Sequence, residues 1–261
     1  MAMELTNRAV IGISGPEARD YLQGLITNDV IRVVPGRAVY AALLTPQGKI
    51  LFDFLIAEGA DGLLLDCARE ARAALIKRLS LYKLRAKVEI SARDDLGVLV
   101  DADSGFADPR LPALGNRAIA ATGHAPEGNE AYLARRLVLG VPEGADFGSD
   151  RMFALDAGLD ELHGVAFDKG CYVGQELTAR MKHRGTARKR LLTVATKDGN
   201  ALPALDTPIK AKDQEVGSIA STYGPRGFAL VRLDRLAEAA GVPLDAGGIA
   251  VDVTKPNWLS A

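Results

Sequence analysis

The chain has 261 residues, of which 48% are hydrophobic and 25% charged, and its formal net charge is −1. This composition excludes a disordered chain and a protein drawn to nucleic acid or membrane by its overall charge. No apolar run approaches the roughly 20 residues that span a bilayer, and residues 1–4 lack the basic and apolar parts of a secretory signal. Two cysteines, Cys67 and Cys171, are too few for a disulfide framework. We therefore expect a cytoplasmic protein that does not bind membranes.

In chain order, the first predicted element is a strand at 9–13. A helix is predicted to follow, with Ser14 as its N-cap, Pro16 in the first turn and Glu17 three residues after Ser14. Strands at 38–44 and 49–57 are joined by a Pro- and Gly-containing hairpin turn. A third strand at 62–67 ends at Cys67, which is predicted to be a core residue.

The middle of the chain alternates between helical and strand patterns, with a helix at 70–81, strands at 87–91, 97–101 and 117–121, and a second helix at 127–137. The segment 104–115 is rich in Gly, Pro and Asp and is interpreted as a loop or subdomain junction. Short β-type runs then occupy 191–195, 208–211, 215–222, 228–233 and 249–253, which indicates a small β-barrel or sandwich. We place a domain boundary near residue 190, giving domains 1–190 and 191–261.

The most informative segment is 168–176, where Cys171 follows Gly170 and lies beside Lys169. Glycine permits close approach of the backbone to a ligand, and a cation or a helix N-terminus favours the thiolate form of cysteine. This pattern is compatible with an exposed, reactive thiol. The alternative is that Cys171 is a small buried hydrophobic residue, as free cysteines commonly are.

A basic stretch overlaps this segment, with seven Lys or Arg against two acidic residues in 168–190, a local net charge of +5. Such a cluster can hold phosphates, a polyglutamate tail or a nucleic-acid backbone, or it can simply be a solvated face. Tyr172 is the only aromatic residue in the stretch, so the stacking platform of a single-strand binder is missing. The metal motifs C-x-x-C and H-E-x-x-H are also missing from the chain.

A second polar group lies in the N-terminal half. Asn28 and Asp29 follow the first predicted helix, where side-chain capping explains them, and Gln47 lies in the hairpin turn. Asp53 occupies an apolar strand, where a buried carboxylate needs a partner. That partner is either a Lys or Arg side chain or a polar heterocycle.

These residues resemble a known family. The run from Lys169 to Glu176 matches the K-G-C-[YF]-x-G-Q-E signature of YgfZ-type folate-binding proteins, which include mitochondrial iron–sulfur assembly members. Residues 14–18, 22–29, 44–49, 82–85, 177–180 and 188–190 are also similar to that family. The likeness extends over about 5–190 and more loosely to the end of the chain.

The resemblance implies an α+β fold shared with the T-protein of the glycine cleavage system, a cloverleaf around a central funnel with a C-terminal β-barrel. It implies tetrahydrofolate or a derivative as ligand and a role in iron–sulfur cluster assembly or repair, with effects on tRNA-modifying enzymes. The implied thiol site is Cys171 and Lys169, within the motif residues Gly170, Tyr172, Gly174, Gln175 and Glu176. The implied folate residues are Asn28, Asp29, Gln47, Asp53, Asp156 and Arg180.

Three hypotheses for the function follow from the residues and from this resemblance. The first is a monomeric accessory factor that binds a reduced folate, contacts iron–sulfur assembly or client proteins, and affects tRNA only indirectly. The second is a folate-dependent one-carbon transferase. Phe52 argues against it, because aminomethyltransferases carry a carboxylate pair where this chain has Phe52 and Asp53, and Asp156 also replaces a longer Glu. The third is an RNA-binding module that uses residues 180–190.

Overall fold

The computed structural model describes residues 1–185 and 188–260, apart from the side chain of Arg184. Its strands are, in chain order, β1 (Met3–Glu4), β2 (Arg8–Ser14), β3 (Val39–Leu44), β4 (Ile50–Gly59), β5 (Gly62–Ala68), β6 (Glu89–Ala92), β7 (Leu96–Val100), β8 (Phe106–Ala107), β9 (Asn116–Ala121), β10 (Lys189–Thr196), β11 (Pro208–Ala211), β12 (Gln214–Tyr223), β13 (Arg226–Arg232), β14 (Leu244–Ala246) and β15 (Ile249–Thr254). Its helices are α1 (Ala18–Gln23), α2 (Arg72–Lys83), α3 (Asn129–Leu139), α4 (Gln175–Arg184) and α5 (Leu233–Glu238).

The first sheet is antiparallel and has the strand order β3-β4-β5-β2-β6. Every residue of β3 is buried. Because successive side chains of a strand point to opposite faces, Ala41 and Leu43 pack with α1 and α2, while Tyr40 and Ala42 face the centre of the molecule. The predicted hairpin is confirmed, with Leu43 opposite Phe52. The sheet therefore forms one wall of the molecular centre.

The second sheet has the order β1-β7-β9-β8. The segment 104–115 contributes β8 and a 3-10 turn at Pro112–Leu114, and β8 pairs with β9, so this segment belongs to the sheet and does not link two separate sheets. Gly105 adopts a φ of 108° and a Cβ there would lie 2.0 Å from the Arg117 carbonyl oxygen. The Gly- and Pro-rich composition thus serves a tight turn within the sheet.

The C-terminal part is a closed barrel with the order β10-β13-β12-β11-β14-β15. Closure leaves no free sheet edge, and Leu192, Ile209 and Val231 belong to its own hydrophobic core. The expected α+β fold with a C-terminal barrel is confirmed. The sequence patterns did not predict β1, β8, β14 or α5, which are short elements with weak periodicity.

The predicted start of the first helix is wrong by about one turn. Ser14 is the last residue of β2, and the N-cap of α1 is Glu17, whose carboxylate accepts a hydrogen bond from the Lys87 amide at 3.1 Å. Gly15 has a φ of 102° and makes the turn between the two elements. None of the described helices is both long and apolar enough to cross a membrane.

Candidate functional site

The segment 165–174, which we call the Cys171 segment, carries an exposed thiol. Cys171 is exposed and α4 begins only at Gln175, so the thiol precedes the helix rather than lying in its first turn. Glu176 does lie in the first turn, as predicted. Cys67 is buried, and burial raises the pKa of its thiol to about 12. Of the two cysteines, Cys171 is therefore the accessible one.

Lys169 fixes the Cys171 segment to the C-terminal end of α1. Its ammonium group donates hydrogen bonds to the carbonyl oxygens of Gln23 at 2.7 Å, Ile26 at 2.7 Å and Asn28 at 2.8 Å. An ammonium group has three N–H donors, so these three carbonyls use all of them and leave none for the Cys171 thiolate. Burial lowers the pKa of Lys169 to about 8, partly offset by the Asp29 carboxylate. The structure therefore assigns Lys169 a structural contact in place of the expected one with sulfur.

A second contact holds the same segment. The Nη2 atom of Arg32 donates to both carboxylate oxygens of Asp168 at 2.7 Å, a charge-assisted contact through one guanidinium nitrogen. Tyr172 is buried, and its ring lies 5.2 Å from the Lys169 nitrogen. Asp168 and Lys169 directly precede Gly170 and Cys171, so these contacts hold the backbone on the N-terminal side of the thiol.

Both contacts involve a residue that lines a cavity of about 480 Å³, which we call the Tyr40 cavity. Its lining is contributed by the loop after α1, by β3, by the β8 turn and by one residue of the 155–166 loop, namely Asn28, Arg32, Gly36, Arg37, Ala38, Val39, Tyr40, Ala107, Asp108, Pro109, Pro112 and His163. The volume lies within the range of small-molecule sites. The Cys171 segment therefore contacts Asn28 and Arg32, and these two residues also line the cavity.

Two of the polar residues predicted from the sequence, Asn28 and Asp29, have structural contacts beside the cavity. The Asn28 amide nitrogen donates at 2.7 Å to the Tyr40 and His163 carbonyl oxygens. Asp29 is the N-cap of the 3-10 turn Val30–Arg32, and its carboxylate accepts from the Ile31 amide at 3.0 Å. Asp29 therefore caps a turn, as interpreted from the sequence, whereas the Asn28 side chain bridges β3 and the loop at His163. Gln47 is exposed in the hairpin turn beside the start of α4.

Asp53 is buried, and its partners are neither Lys nor Arg. Its carboxylate accepts hydrogen bonds from the Tyr40 hydroxyl at 3.1 Å and the Gly144 amide at 2.9 Å. Burial raises the pKa of Asp53, although the Arg8 guanidinium opposes that rise. Asp53 therefore belongs to the wall between β3, β4 and the loop around Gly144.

A buried charged network fills the centre next to this wall, and its members are Arg8, Asp66, Asp108, Arg110, Arg117, Arg136, Glu143 and Asp146. Arg110 occupies its middle, donating to Asp108 at 2.8 Å, to Glu143 at 2.7 Å and to the Tyr132 hydroxyl at 2.6 Å. The sequence patterns did not predict this network. The available indication was the occurrence of charged residues such as Asp66 and Arg117 inside apolar strands.

On the other side of the network is a cleft of about 560 Å³, which we call the Tyr132 cleft. Its lining residues come from β2, the end of β5, α3, the 143–145 loop and the barrel, namely Asn7, Arg8, Ala68, Arg69, Glu70, Asn129, Glu130, Tyr132, Leu133, Arg136, Glu143, Gly144, Ala145 and Tyr223. Arg110 contacts Asp108 of the Tyr40 cavity and Glu143 of this cleft. One layer of side chains therefore separates the two spaces.

Asp156 and Arg180 lie away from both spaces. The Asp156 carbonyl oxygen accepts from the Leu191 amide of β10 at 2.8 Å, and burial raises the pKa of its side chain to about 6 against the opposing effect of Arg190 and Lys189. Arg180 is exposed and pairs with Glu176 at 2.6 Å along α4. Among the described residues, no group of three or more His, Cys, Asp or Glu side chains could hold a metal ion.

Comparison with known proteins gives consistent matches. Residues 188–261 match the family model of the CAF17 C-terminal beta-barrel domain. The chain is 30% identical to the mitochondrial iron–sulfur cluster assembly factor IBA57 of Mus musculus, over 97% of this chain and 84% of the relative. It is 31% identical to the mitochondrial IBA57 homologue of Coccidioides immitis, over 90% of this chain and 72% of the relative. These relatives are mitochondrial, so the expectation of a cytoplasmic protein is wrong.

Among solved structures, the glycine cleavage system aminomethyltransferase T from Bartonella henselae shares the fold, with a TM-score of 0.72, 16% identity, and coverage of 99% of this chain and 86% of that one. At this identity the likeness concerns the fold alone. It agrees with the T-protein-like architecture expected from the sequence.

Proposed function

The chain belongs to the family of iron–sulfur cluster assembly factors IBA57, and on this basis we propose that it acts in iron–sulfur cluster assembly through the exposed thiol of Cys171 and binds a reduced folate in the Tyr40 cavity. The observation that carries the proposal is the attachment of the Cys171 segment to the cavity rim by Lys169 and by the Arg32–Asp168 pair. A ligand in the cavity would therefore contact Asn28 and Arg32, the residues that hold the loop that presents the thiol.

The chemistry of the cavity suits a folate. Arg32 and Arg37 line it, and Arg37 is exposed, so the mouth offers guanidinium groups to the carboxylates of a glutamyl tail. Deeper in, the buried Tyr40 borders the cavity, and its neighbours are the apolar Ala38 and Val39. A flat heterocycle with a charged tail would place its ring against this apolar part and its charge at the mouth.

Calorimetric titration with tetrahydrofolate tests the ligand. The wild type is expected to bind, and Arg37→Gln to bind about tenfold more weakly, the equivalent of about 1.4 kcal/mol for one charge-assisted hydrogen bond. Lys210→Gln, an exposed change on β11 of the barrel, is the matched control and should bind like the wild type. Absence of binding by the wild type would refute the folate part of the proposal.

Complementation tests the thiol separately. In a host lacking its own protein of this family, Cys171→Ser should fail to restore the activity of iron–sulfur enzymes, while Cys67→Ser, at a buried core position, should restore it whenever the protein accumulates. Full rescue by Cys171→Ser would remove the thiol from the proposed function and would leave the folate proposal standing.

The two other functions have less support in the geometry. For a one-carbon transferase, the Asp53 oxygens already accept hydrogen bonds from Tyr40 and Gly144. For an RNA-binding module, Arg180 pairs with Glu176 and Lys182 pairs with Asp160 at 2.8 Å, which reduces the charge that α4 offers to phosphates. Thr186 and Ala187, within that basic stretch, lie outside the described residues.

A further inference from the structure

The Tyr132 cleft is unused by the proposed function, and its floor is an unusual arrangement of buried charge. Arg8 and Arg136 are each 3% exposed and both line the cleft. Between them lies the Glu143 carboxylate, whose Oε1 is 3.8 Å from Arg8 Nη1 and 3.7 Å from Arg136 Nε. The floor therefore presents a positive, a negative and a positive group in a row.

Most of the hydrogen bonds that these guanidinium groups donate go to groups beneath the floor. Arg8 donates from Nε to the Asp66 carboxylate at 2.6 Å and from Nη2 to the Asp66 carbonyl oxygen at 2.8 Å. Arg136 donates from Nη1 to the Val141 carbonyl oxygen and to Asp146. Within residues 1–185 and 188–260, Arg8 Nη1 and Arg136 Nε donate no hydrogen bond, because their distances to Glu143 exceed hydrogen-bond length.

A buried donor without an acceptor is costly. Glu143 already accepts hydrogen bonds from Arg110 and, as the cap of the Gly144–Asp146 turn, from the backbone of that turn, and its carboxylate retains lone pairs for a further donor. Burial raises the pKa of Glu143, but the Arg8, Arg110 and Arg136 guanidiniums outweigh burial and hold it well below its usual value. An anion alone would therefore meet an ionised carboxylate, and a cation alone would meet two guanidiniums. A ligand that carries both charges on adjacent atoms would satisfy the donors and the acceptor together.

The walls above the floor indicate what the rest of the ligand is. Leu133, Tyr132 and Ala145 provide apolar and aromatic surface, and Tyr223 extends it from the barrel. At the rim, Arg69, Glu70 and Glu130 are exposed and carry both signs of charge. The cleft volume of about 560 Å³ is ample for a small molecule.

We propose that the Tyr132 cleft is a second ligand site, independent of the folate proposal, which binds an α-amino acid with an apolar side chain. The ligand carboxylate would accept from Arg8 and Arg136, its ammonium group would donate to Glu143, and its side chain would lie against Leu133 and the tyrosine rings.

Three matched probes test this assignment by calorimetry on the full-length protein, namely L-leucine, 4-methylpentanoate, which lacks the ammonium group, and isopentylamine, which lacks the carboxylate. We expect L-leucine to bind at least about tenfold more tightly than either partial probe, since each lost charge-assisted contact costs about 1.4 kcal/mol or more. No binding of L-leucine by the wild type, or equal binding of the three probes, would overturn the proposal.

Two variants locate the site. Leu133→Trp should fill the cleft and abolish L-leucine binding while leaving tetrahydrofolate binding unchanged, and because Leu133 packs at the edge of the hydrophobic core, a far-ultraviolet circular dichroism spectrum like that of the wild type is the folding control. Glu143→Gln, if it folds, should remove the preference for L-leucine over 4-methylpentanoate. L-leucine binding that survives Leu133→Trp would place that ligand elsewhere, and loss of tetrahydrofolate binding in this variant would show that the cleft is the folate site instead.

Discussion

Two glycines of the Cys171 segment have different physical reasons to be glycine. Gly174 adopts a φ of 82°, and a Cβ there would lie 2.5 Å from the Thr45 carbonyl oxygen. Gly170 has an ordinary φ, and a Cβ there would meet no atom of the residues that the structure describes within 4 Å. The fold therefore requires glycine at 174, whereas at 170 only the close approach of a ligand or partner would require it.

This difference predicts that one of two alanine substitutions destabilises the protein and that the other leaves its stability unchanged. Gly174→Ala should lower the free energy of unfolding by about 2 kcal/mol or more, because backbone strain and a steric overlap add. Gly170→Ala should leave it within about 0.5 kcal/mol of the wild type. Urea unfolding of both variants measures the difference, and equal stabilities would contradict the packing of α4 against the hairpin turn.

The raised pKa of the Asp156 carboxyl predicts that the stability of the protein depends on pH. Its pKa is about 6 in the folded protein and 3.8 in the reference state, so the folded state binds more protons between these values. The stability contributed by the protonated carboxyl is therefore complete below 3.8 and is lost as pH rises through about 6. Asp156→Asn keeps a neutral side chain and should be the more stable protein at neutral pH by on the order of 2 kcal/mol.

Urea unfolding of wild type and Asp156→Asn at about pH 5 and about pH 7.5 checks this dependence, and the advantage of the variant should shrink at the lower pH. Glu161→Gln, a change at another half-buried carboxyl of the same loop, controls for general effects of charge removal. A constant difference between wild type and Asp156→Asn at both pH values would show that the carboxyl is not desolvated as described.

At the scale of elements, the charged network adds polar contacts between three parts of the molecule that also share one apolar core. Asp66 of β5 accepts from Arg8 of β2 at 2.6 Å and from Arg117 of β9 at 2.6 Å, so one carboxylate joins the two sheets. Asp66→Asn would remove the negative charge that pairs with the two buried guanidinium groups of Arg8 and Arg117. It should lower the free energy of unfolding by about 3–5 kcal/mol, the cost of breaking a buried ion pair on one side.

Thermal unfolding of Asp66→Asn measures that cost against Asp94→Asn, which removes an exposed partner of Arg72 and should change stability by less than about 1 kcal/mol. Similar melting temperatures for the two variants would mean that the network contributes no more than a surface ion pair.

The sequence allowed some elements to be predicted and not others. The β3–β4 hairpin follows from a local turn pattern, and the barrel follows from short strands with turn residues between them. The start of α1 depends on Lys87, which is 70 residues from Glu17, and the contact of Lys169 with Asn28 spans 141 residues. Such partners are fixed by tertiary packing, which local patterns do not encode.

At the scale of the whole molecule, Asp146 connects the barrel to the part of the chain that precedes it, through α3. Its carboxylate accepts from Arg136 of α3, from Ser221 and from Tyr223 at 3.0 Å, the last two in β12. On the other side of the barrel, the indole of Trp258, the only tryptophan, donates to the Leu139 carbonyl oxygen at 3.0 Å. These contacts predict that the barrel and the two sheets unfold together.

Asp146→Asn should weaken that coupling, because it removes the charge that pairs with the buried Arg136. In the wild type, Trp258 fluorescence and far-ultraviolet circular dichroism should give one coincident unfolding transition. In the variant the two transitions should shift to lower denaturant and separate. Coincident, unshifted transitions in Asp146→Asn would contradict the view that this carboxylate ties the barrel to the sheets.

In the proposed function, the Cys171 thiol and the Tyr40 cavity form one site. The rate at which a small disulfide reagent modifies the native protein tests it most directly, because Cys67 is buried and Cys171 is exposed. Saturating tetrahydrofolate is predicted to slow the modification of Cys171 severalfold, and Arg37→Gln should shift this protection to higher ligand concentration. An unchanged rate at a concentration where calorimetry shows the folate bound would contradict the claim.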